Sequence, residues 1–389
     1  MTASCELRPS DLAIDRELAD TASSIRFLLD VTPVNLIEAR RQFRSDGATP
    51  EFVYGPLADD PVVVETRLEA VAIDSVEDNT LAQILTSKRR ELELQLQMLR
   101  CRGHEQFLDL SVQLYGPVSP ALLGEAEALL AQVPPPQREP GDGIDAATFA
   151  QLAEAELDLY RAVHTDLSAH VEVRDDSSGV MVSNGDLLIA PTAVIPSHRV
   201  NALLQHEIGT HIVTHVNGSC QPLRLLGAGL AGYDETQEGL AVLAEHLAGG
   251  LTARRLRQLA LRVVAVHQMC TGETFPTVHG NLVEAGVTRR EAFTITMRVF
   301  RSGGLTKDAV YLRGLRDVVA YVGAGGDLDV FWLGKMALSD VPQIVALRER
   351  GVLVDPVLMP RYLAEPQAQE RLSRITAQTI PLDLIGAAP

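Results

Sequence analysis

Two histidines and a glutamate lie close together at residues 206–211, where the sequence reads HEIGTH. In hydrolytic zinc sites, imidazoles hold the metal, an open position holds water, and a carboxylate takes a proton from that water. His206 and His211 are therefore candidate metal ligands, and Glu207 is the candidate general base. A purely structural role is the alternative, although burying these groups unpaired among the apolar neighbours of this segment costs free energy.

The histidine spacing requires a local distortion. The familiar pattern places two ligand histidines four residues apart, whereas His206 and His211 are five apart. Five residues leave two side chains about 140° apart on a regular α-helix, and four leave them about 40° apart. A π-bulge would return both rings to one face, and Gly209 is where we expect distortion to be easiest. A competing set (Glu207, His211 and His215) needs no bulge but leaves the site without an adjacent base.

A third ligand is expected from the segment at residues 233–241, which begins another predicted helix. Glu238 follows His211 by 27 residues, enough for the chain to turn and pack a second helix against the first. Glu245 is seven residues further on, on the same helix face. It is a candidate partner for a ligand histidine, with an ordinary helix carboxylate as the favoured alternative. Asp234 is predicted to be the N-cap and Glu235 a first-turn acid.

A zinc-dependent hydrolase of amide bonds must also stabilise an oxyanion, and a substrate that carries a carboxylate needs a cation to hold it. Tyr311 is a candidate hydrogen-bond donor to the oxyanion. A cluster of cations around the Gly303-Gly304 turn supplies candidates for the carboxylate. An ordinary structural role is an equal alternative for each of them. The candidate cations are Arg298, Arg301, Lys307 and Arg313.

The elements expected to position these residues are mostly helices. Apolar periodicity predicts helices at 10–30, 33–45, 79–101, 104–114, 119–133, 146–164, 198–216 and through much of 234–349. Asn184-Gly185, between two apolar runs, predicts a β-hairpin with a type I′ turn. The fold class is therefore mainly α with a small antiparallel hairpin or sheet. The edge of this hairpin is a candidate binding surface for an extended peptide, with a structural role as the alternative.

Residues 134–143 are rich in proline and glycine and are predicted to be a linker. We expect an N-terminal helical region at 1–133 and a catalytic domain at 144–389. The formal charge of −17 disfavours nucleic acid, anionic membranes and strongly acidic substrates. Four widely spaced cysteines, the lack of a secretory pattern and the lack of an 18-residue apolar run predict a cytoplasmic protein.

Together these motifs resemble those of the family named for its Gln-Glu-Gly-Leu-Ala motif, which stands here at residues 237–241. Bacterial members are called flavohaemoglobin expression-modulating proteins, and eukaryotic relatives include the microtubule-associated tyrosine carboxypeptidases. The resemblance extends from about Leu114 to Gly314. It implies a gluzincin-like metallopeptidase core with a Zn²⁺ site at His206, His211 and Glu238, and Glu207 as the base.

By analogy, the resemblance implies carboxypeptidase chemistry on the C-terminus of a peptide or protein. It does not carry over a tubulin substrate, because the acidic balance fits poorly with an acidic tubulin tail. Two alternatives remain open: a zinc-dependent amidohydrolase of small molecules, and a non-catalytic regulatory protein that binds a metal for structure.

Overall fold

The computed structural model describes residues 7–135, 142–175, 177 and 179–385. Most of these residues are helical, as the sequence predicts. The α-helices are α1 Pro9–Ser24, α2 Phe27–Asp30, α3 Leu36–Asp46, α4 Pro61–Ala70, α5 Asn79–Arg100, α6 Gln106–Tyr115, α7 Pro120–Gln132, α8 Ala146–Arg161, α9 Val200–His206, α10 Val213–Cys220, α11 Leu225–Ala228, α12 Tyr233–Leu247, α13 Ala253–Cys270, α14 Phe275–Glu284, α15 Arg289–Phe300, α16 Val310–Gly323, α17 Val341–Glu349 and α18 Pro366–Ser373.

Shorter helical turns connect several of these helices. The 3₁₀ turns are Ile73–Ser75, Ser197–Arg199, Arg301–Gly303, Thr306–Ala309, Leu328–Leu333, Leu338–Asp340, Arg361–Ala364 and Pro381–Ile385. Side-chain caps mark the starts of several of the longer helices. Asp78, Asp145 and Thr252 each accept a hydrogen bond from a backbone N–H three residues ahead. The described helices include none with the length and apolar composition of a membrane span.

The strands form two small sheets. They are β1 Gly143–Asp145, β2 Val171–Val173, β3 Val180–Ser183, β4 Asp186–Ile189 and β5 Val194–Pro196. The predicted hairpin is β3 and β4, and its turn has positive φ at both Asn184 (49°) and Gly185 (89°), as a type I′ turn requires. Strand β2 adds to β4 in parallel, so this sheet is mixed, with order β2-β4-β3. The prediction of one antiparallel sheet is incomplete, because β1 and β5 form a second one.

A large hydrophobic cluster contains residues from Ile14 to Leu384 and therefore includes side chains from both sides of the predicted linker. Of that linker, residues 136–141 lie outside the described residues, and the division into two domains stays a prediction.

Several helical segments and the hairpin surround the candidate site. A π-helix, Glu207–Ile212, joins α9 to α10 and contacts β3, β4 and α12. Helix α12 in turn packs along α16. The end predicted for the helix at 198–216 is too early, since α10 continues through Asn217 and Gly218 to Cys220. The Asn217 side chain forms two hydrogen bonds with the backbone of Leu358: it donates to the carbonyl and accepts from the N–H.

Candidate metal centre

The widened turn that the histidine spacing requires is present. His206 ends α9, and the π-helix that follows carries His211 to the same side, with ring centroids 5.1 Å apart. Gly209 lies inside this widened turn, as expected, and it also leaves space for neighbouring side chains. Its φ is not positive, but a Cβ there would lie 2.6 Å from Oε1 of Gln205 and 3.3 Å from the Tyr362 ring. The glycine therefore makes room for neighbours of the widened turn.

Helix α12 brings Glu238 to the two histidines. Its Oε2 lies 3.7 Å from Nε2 of His206 and 3.7 Å from Nε2 of His211. One ligand atom from each of the three residues lies within 4.8 Å of the others, which makes them a candidate metal-binding group. Burial would raise the pKa of Glu238, but the Lys307 ammonium and the two histidines hold it well below its usual range. The carboxylate is thus ready to bind a cation without first losing a proton.

Two glycines allow α12 to pack closely against α16. A Cβ on Gly239 would lie 2.3 Å from the backbone carbonyl of Gly314 in α16, and one on Gly314 would lie 2.0 Å from the carbonyl of Glu235. Both distances are to backbone atoms, so the two helix backbones can approach this closely only without side chains here. Since Glu238 precedes Gly239, this contact helps to fix where its carboxylate lies.

Glu245 orients His206. Its Oε1 lies 2.9 Å from Nδ1 of His206, and Arg199 (2.6 Å) and Arg255 (3.3 Å) contact the same carboxylate. Burial would raise the pKa of Glu245, but Arg255, His206 and Arg199 outweigh it and lower the pKa strongly. A charged acceptor at Nδ1 favours the tautomer in which Nε2 is free to bind a metal. The partner role, which the sequence ranked second, is the one that the contacts support.

His211 is oriented by the glutamine of the Gln-Glu-Gly-Leu-Ala segment. Oε1 of Gln237 lies 3.4 Å from Nδ1 of His211 and accepts a 2.8 Å hydrogen bond from the Thr214 hydroxyl. In this arrangement Nδ1 of His211 can donate its hydrogen to the amide oxygen of Gln237. The Nε2 atom then faces Glu238, as it does for His206.

Glu207 lies beside this group. Its Oε1 is 4.0 Å from Nε2 of His206, and both side chains line a cavity of about 140 Å³ together with His211 and Glu238. Burial raises the pKa of Glu207. A carboxylate that is buried next to possible ligands, without being one of the three that converge, has the placement of a general base.

The competing set of Glu207, His211 and His215 does not converge among the described residues. Nδ1 of His215 faces the carbonyl of Gly227 at 3.1 Å, and the ring packs against Gly185 in the hairpin turn. Burial lowers the pKa of His215 to about 4, so its ring is neutral. His215 lines a neighbouring cavity and is absent from the wall of the first.

The candidate substrate cations have partners within the chain. Arg298 binds both carboxylate oxygens of Asp308, at 2.6–3.1 Å. Lys307 lies 2.8 Å from Asp234 and 3.2 Å from Glu238, and only 2% of its side chain is exposed. Asp234 is therefore the ion-pair partner of Lys307, and the prediction that it caps α12 is wrong because Gly232 holds that position.

Arg301 and Arg313 differ in position. Arg301 lines the cavity, donates a 2.7 Å hydrogen bond to the Thr32 hydroxyl, and is 4% exposed. Burial lowers its pKa to about 10. Arg313 is not among the described residues that line the cavity. It binds Glu235 and the Tyr115 carbonyl, which ties α16 to α12 and α6.

Tyr311 lines the same cavity and has three cations around its ring, Arg262, Lys307 and Arg298, at 4.9, 5.8 and 6.0 Å from the centroid. Burial raises the pKa of Tyr311, so the phenol keeps its proton and can donate a hydrogen bond. This placement agrees with the donor role expected from the sequence, while leaving that role a prediction.

Sequence reasoning missed three residues from two other parts of the chain that line the cavity. Lys335 lines it from the loop before α17, and Leu28 and Thr32 line it from the N-terminal region. No motif or spacing in the sequence links these positions to residues 206–211. Only the long-range packing of the chain brings them together.

A mainly helical fold in which two histidines and a glutamate converge beside a buried carboxylate defines a protein with a candidate metal centre. A family model described as microtubule-associated tyrosine carboxypeptidase matches residues 41–379, and the chain belongs to this family. The resemblance inferred from the motifs is thereby confirmed. Membership supports a carboxypeptidase-like peptidase.

Two further comparisons add less. No curated protein matches the chain. The chain is similar to a crystal structure of a Colwellia psychrerythraea protein assigned as a lipoprotein, with 15% identity and a TM-score of 0.44. The match covers 74% of this chain and 66% of that one. At this level the similarity carries no argument about function.

Proposed function

We propose that this chain is a zinc-dependent carboxypeptidase that hydrolyses the C-terminal peptide bond of a peptide or protein. The observation that carries the proposal is the convergence of His206, His211 and Glu238 within 4.8 Å, beside the buried Glu207. We infer further that these residues form a gluzincin-like core, in which one helix supplies two histidines and a second supplies a glutamate.

Zinc fits this group of residues. Two neutral imidazoles and a carboxylate are the ligand set of many catalytic zinc sites, and three protein ligands leave a position open for water. Glu245 and Gln237 hold the Nδ1 atoms, so each Nε2 is free for the metal. A bound zinc ion supplies a Lewis acid that polarises the substrate carbonyl and lowers the pKa of a bound water to about 7.

The side chains around the group would carry the remaining steps. Glu207 accepts the proton of the attacking water and returns it to the nitrogen of the leaving amino acid. The Tyr311 hydroxyl donates a hydrogen bond to the carbonyl oxygen as negative charge develops there, and the cations around its ring favour that charge. Lys307 and Arg298 act through Glu238, Tyr311 and Asp308, which they hold in place.

The hairpin edge would align the substrate. Strand β3 is at one edge of the mixed sheet, and Val180, Met181 and Val182 line the cavity. Among the described residues no strand pairs with its outer edge, so the backbone there can pair with an extended peptide and position one peptide bond over the metal group. Of the two hairpin roles that the sequence left open, peptide binding and structural support, we propose peptide binding.

The test compares wild-type protein with Glu207→Gln, both checked for zinc content. A library of N-acetylated peptides with diverse C-termini is incubated with each and analysed by mass spectrometry. We expect wild type to release single C-terminal residues, and Glu207→Gln to keep its zinc and lose turnover by at least about 10²-fold. Internal cleavage or no cleavage by the zinc-loaded wild type would contradict the proposal, as would undiminished turnover by the variant.

A further inference from the structure

A second cavity of about 320 Å³ adjoins the one at the metal group. Six residues line both cavities, which places the two side by side. The shared residues are Leu28, Met181, Val182, Tyr233, Asp234 and Lys335.

The N-terminal region forms much of the wall of this second cavity. Residues 22, 23 and 25–29 line it, and they precede the segment matched by the family model, which begins at residue 41. Ile25, Phe27, Leu28 and Leu29 supply apolar side chains to this wall, and Met181 of β3 adds another, whereas polar and charged side chains line other parts of the cavity. The cavity thus has room and an apolar surface for one side chain of a bound peptide.

Most cations on the two cavities are already paired with carboxylates. Arg298 binds Asp308, and Lys307 binds Asp234 and Glu238. Lys88 lies 2.6 Å from Glu91, and Arg26 lies 3.4 Å from Asp30. Arg301 is enclosed and donates to Thr32.

Lys335 differs from these cations. Within the part of the chain that the structure describes, its ammonium has no hydrogen bond or ion pair, and its nearest recorded contact is the Tyr233 ring, 5.8 Å away. Burial lowers the pKa of Lys335 to about 8, and Asp234, whose carboxylate is bound to Lys307, offsets this only in part. A partly buried ammonium without a counterion gains from a carboxylate brought by a ligand.

We propose that Lys335 binds the terminal carboxylate of the peptide substrate, and that the second cavity receives the side chain of the leaving residue. The inference rests on the proposed carboxypeptidase function and names a specificity residue for it. Lys335 lines the same small cavity as His206, His211 and Glu238. The terminal carboxylate follows the last peptide bond within about 3.8 Å, so a cation on the wall of this cavity is placed to hold that carboxylate when the last peptide bond is at the metal group.

The test measures binding in the full chain carrying Glu207→Gln, so that the substrate is not consumed. Matched pairs of N-acetylated tripeptides, one with a free C-terminal carboxylate and one with a C-terminal amide, are titrated calorimetrically. We expect the acid to bind at least about 30-fold more tightly than its amide. Adding Lys335→Met should remove that preference, and Lys335→Arg should restore part of it.

The acid-to-amide ratio separates a contact with the carboxylate from general damage. If Lys335→Met lowers the binding of both peptides and leaves the ratio unchanged, as a misfolded or shifted cavity would, the inference is overturned. It is also overturned if the protein that keeps Lys335 binds neither peptide. Arg374→Met, at an exposed cation paired with Glu370, is the control and should keep the ratio. Peptides with an acidic side chain and an amidated terminus should bind no better than neutral amides, and tighter binding of them would also count against the inference.

Failure of this inference is distinguishable from failure of the proposed function. If wild type releases C-terminal residues while Lys335→Met retains the acid preference, the peptidase proposal stands and Lys335 is not the carboxylate site. If wild type leaves the library intact while the acid preference depends on Lys335, the binding site stands without the chemistry.

Discussion

Nδ1 of His206 lies 2.9 Å from Oε1 of Glu245, and the carboxylate is itself held by Arg199 and Arg255. This contact is buried, so the ring orientation of His206 depends on a charge seven residues beyond Glu238 on the same helix. Glu245→Gln keeps the shape of the side chain but removes its charge. We expect it to weaken zinc affinity about 10–100-fold.

Competition with a chelator of known zinc affinity measures this effect. Glu235→Gln is the matched control, since Glu235 is on the same helix and pairs with Arg313 outside the cavity. An affinity that falls equally in both variants would show a general effect of removing charge from α12, not an effect on His206.

The choice of ligands makes a second prediction. His206→Ala, His211→Ala and Glu238→Ala should each reduce bound zinc to well below one per chain after desalting, because each removes one of the three proposed ligands. His215→Ala should retain it, because its ring faces Gly227 and lies in the neighbouring cavity. Elemental analysis of the four purified variants measures the zinc content. Retention by His206→Ala together with loss from His215→Ala would instead favour the set of Glu207, His211 and His215.

Much of the local structure could be predicted because local rules decide it. The Asn184-Gly185 turn needs two positive φ values, and these residue types tolerate them best. The five-residue separation of His206 and His211 required a widened turn if both were to bind one ion, and a π-helix is there. Glu238 could be chosen because its helix follows soon after the first.

The rest depends on contacts between distant parts of the chain, which spacing does not encode. Arg298 was a candidate to bind the substrate, but its guanidinium donates hydrogen bonds to both carboxylate oxygens of Asp308. The pairing of β1 with β5 and the arrival of Leu28 at the cavity involve separations of about 50 residues or more. Lys335 was overlooked because it belongs to no motif, although it is a cavity cation without a carboxylate partner among the described residues.

The contact between α12 and α16 gives a prediction about stability. Gly239→Ala places a methyl group 2.3 Å from the Gly314 carbonyl, and the backbone there must shift to accept it. We expect a loss of about 1–3 kcal/mol in the free energy of unfolding, measured by urea denaturation. Gly280→Ala is the matched control, because Gly280 is inside α14 and nothing lies within 4 Å of an added Cβ. It should gain up to about 1 kcal/mol from helix propensity. Similar changes in both variants would contradict the close packing of α12 on α16.

A buried histidine outside the site gives a prediction about pH. Burial lowers the pKa of His246 from 6.5 to about 4, despite a hydrogen bond with the backbone of Leu384. Between these two values the unfolded chain binds a proton that the folded chain does not, so stability is fully present above pH 6.5 and is lost as the pH falls towards 4. Between pH 7 and pH 5, His246 should account for a loss of about 1–2 kcal/mol in the free energy of unfolding.

His246→Gln should therefore reduce the difference between the free energies of unfolding measured with urea at pH 7 and at pH 5, whatever its effect at either pH. His170→Gln, at an exposed histidine, should leave that difference unchanged. An unchanged difference in His246→Gln would mean that the ring is protonated as readily in the folded chain as in the unfolded one.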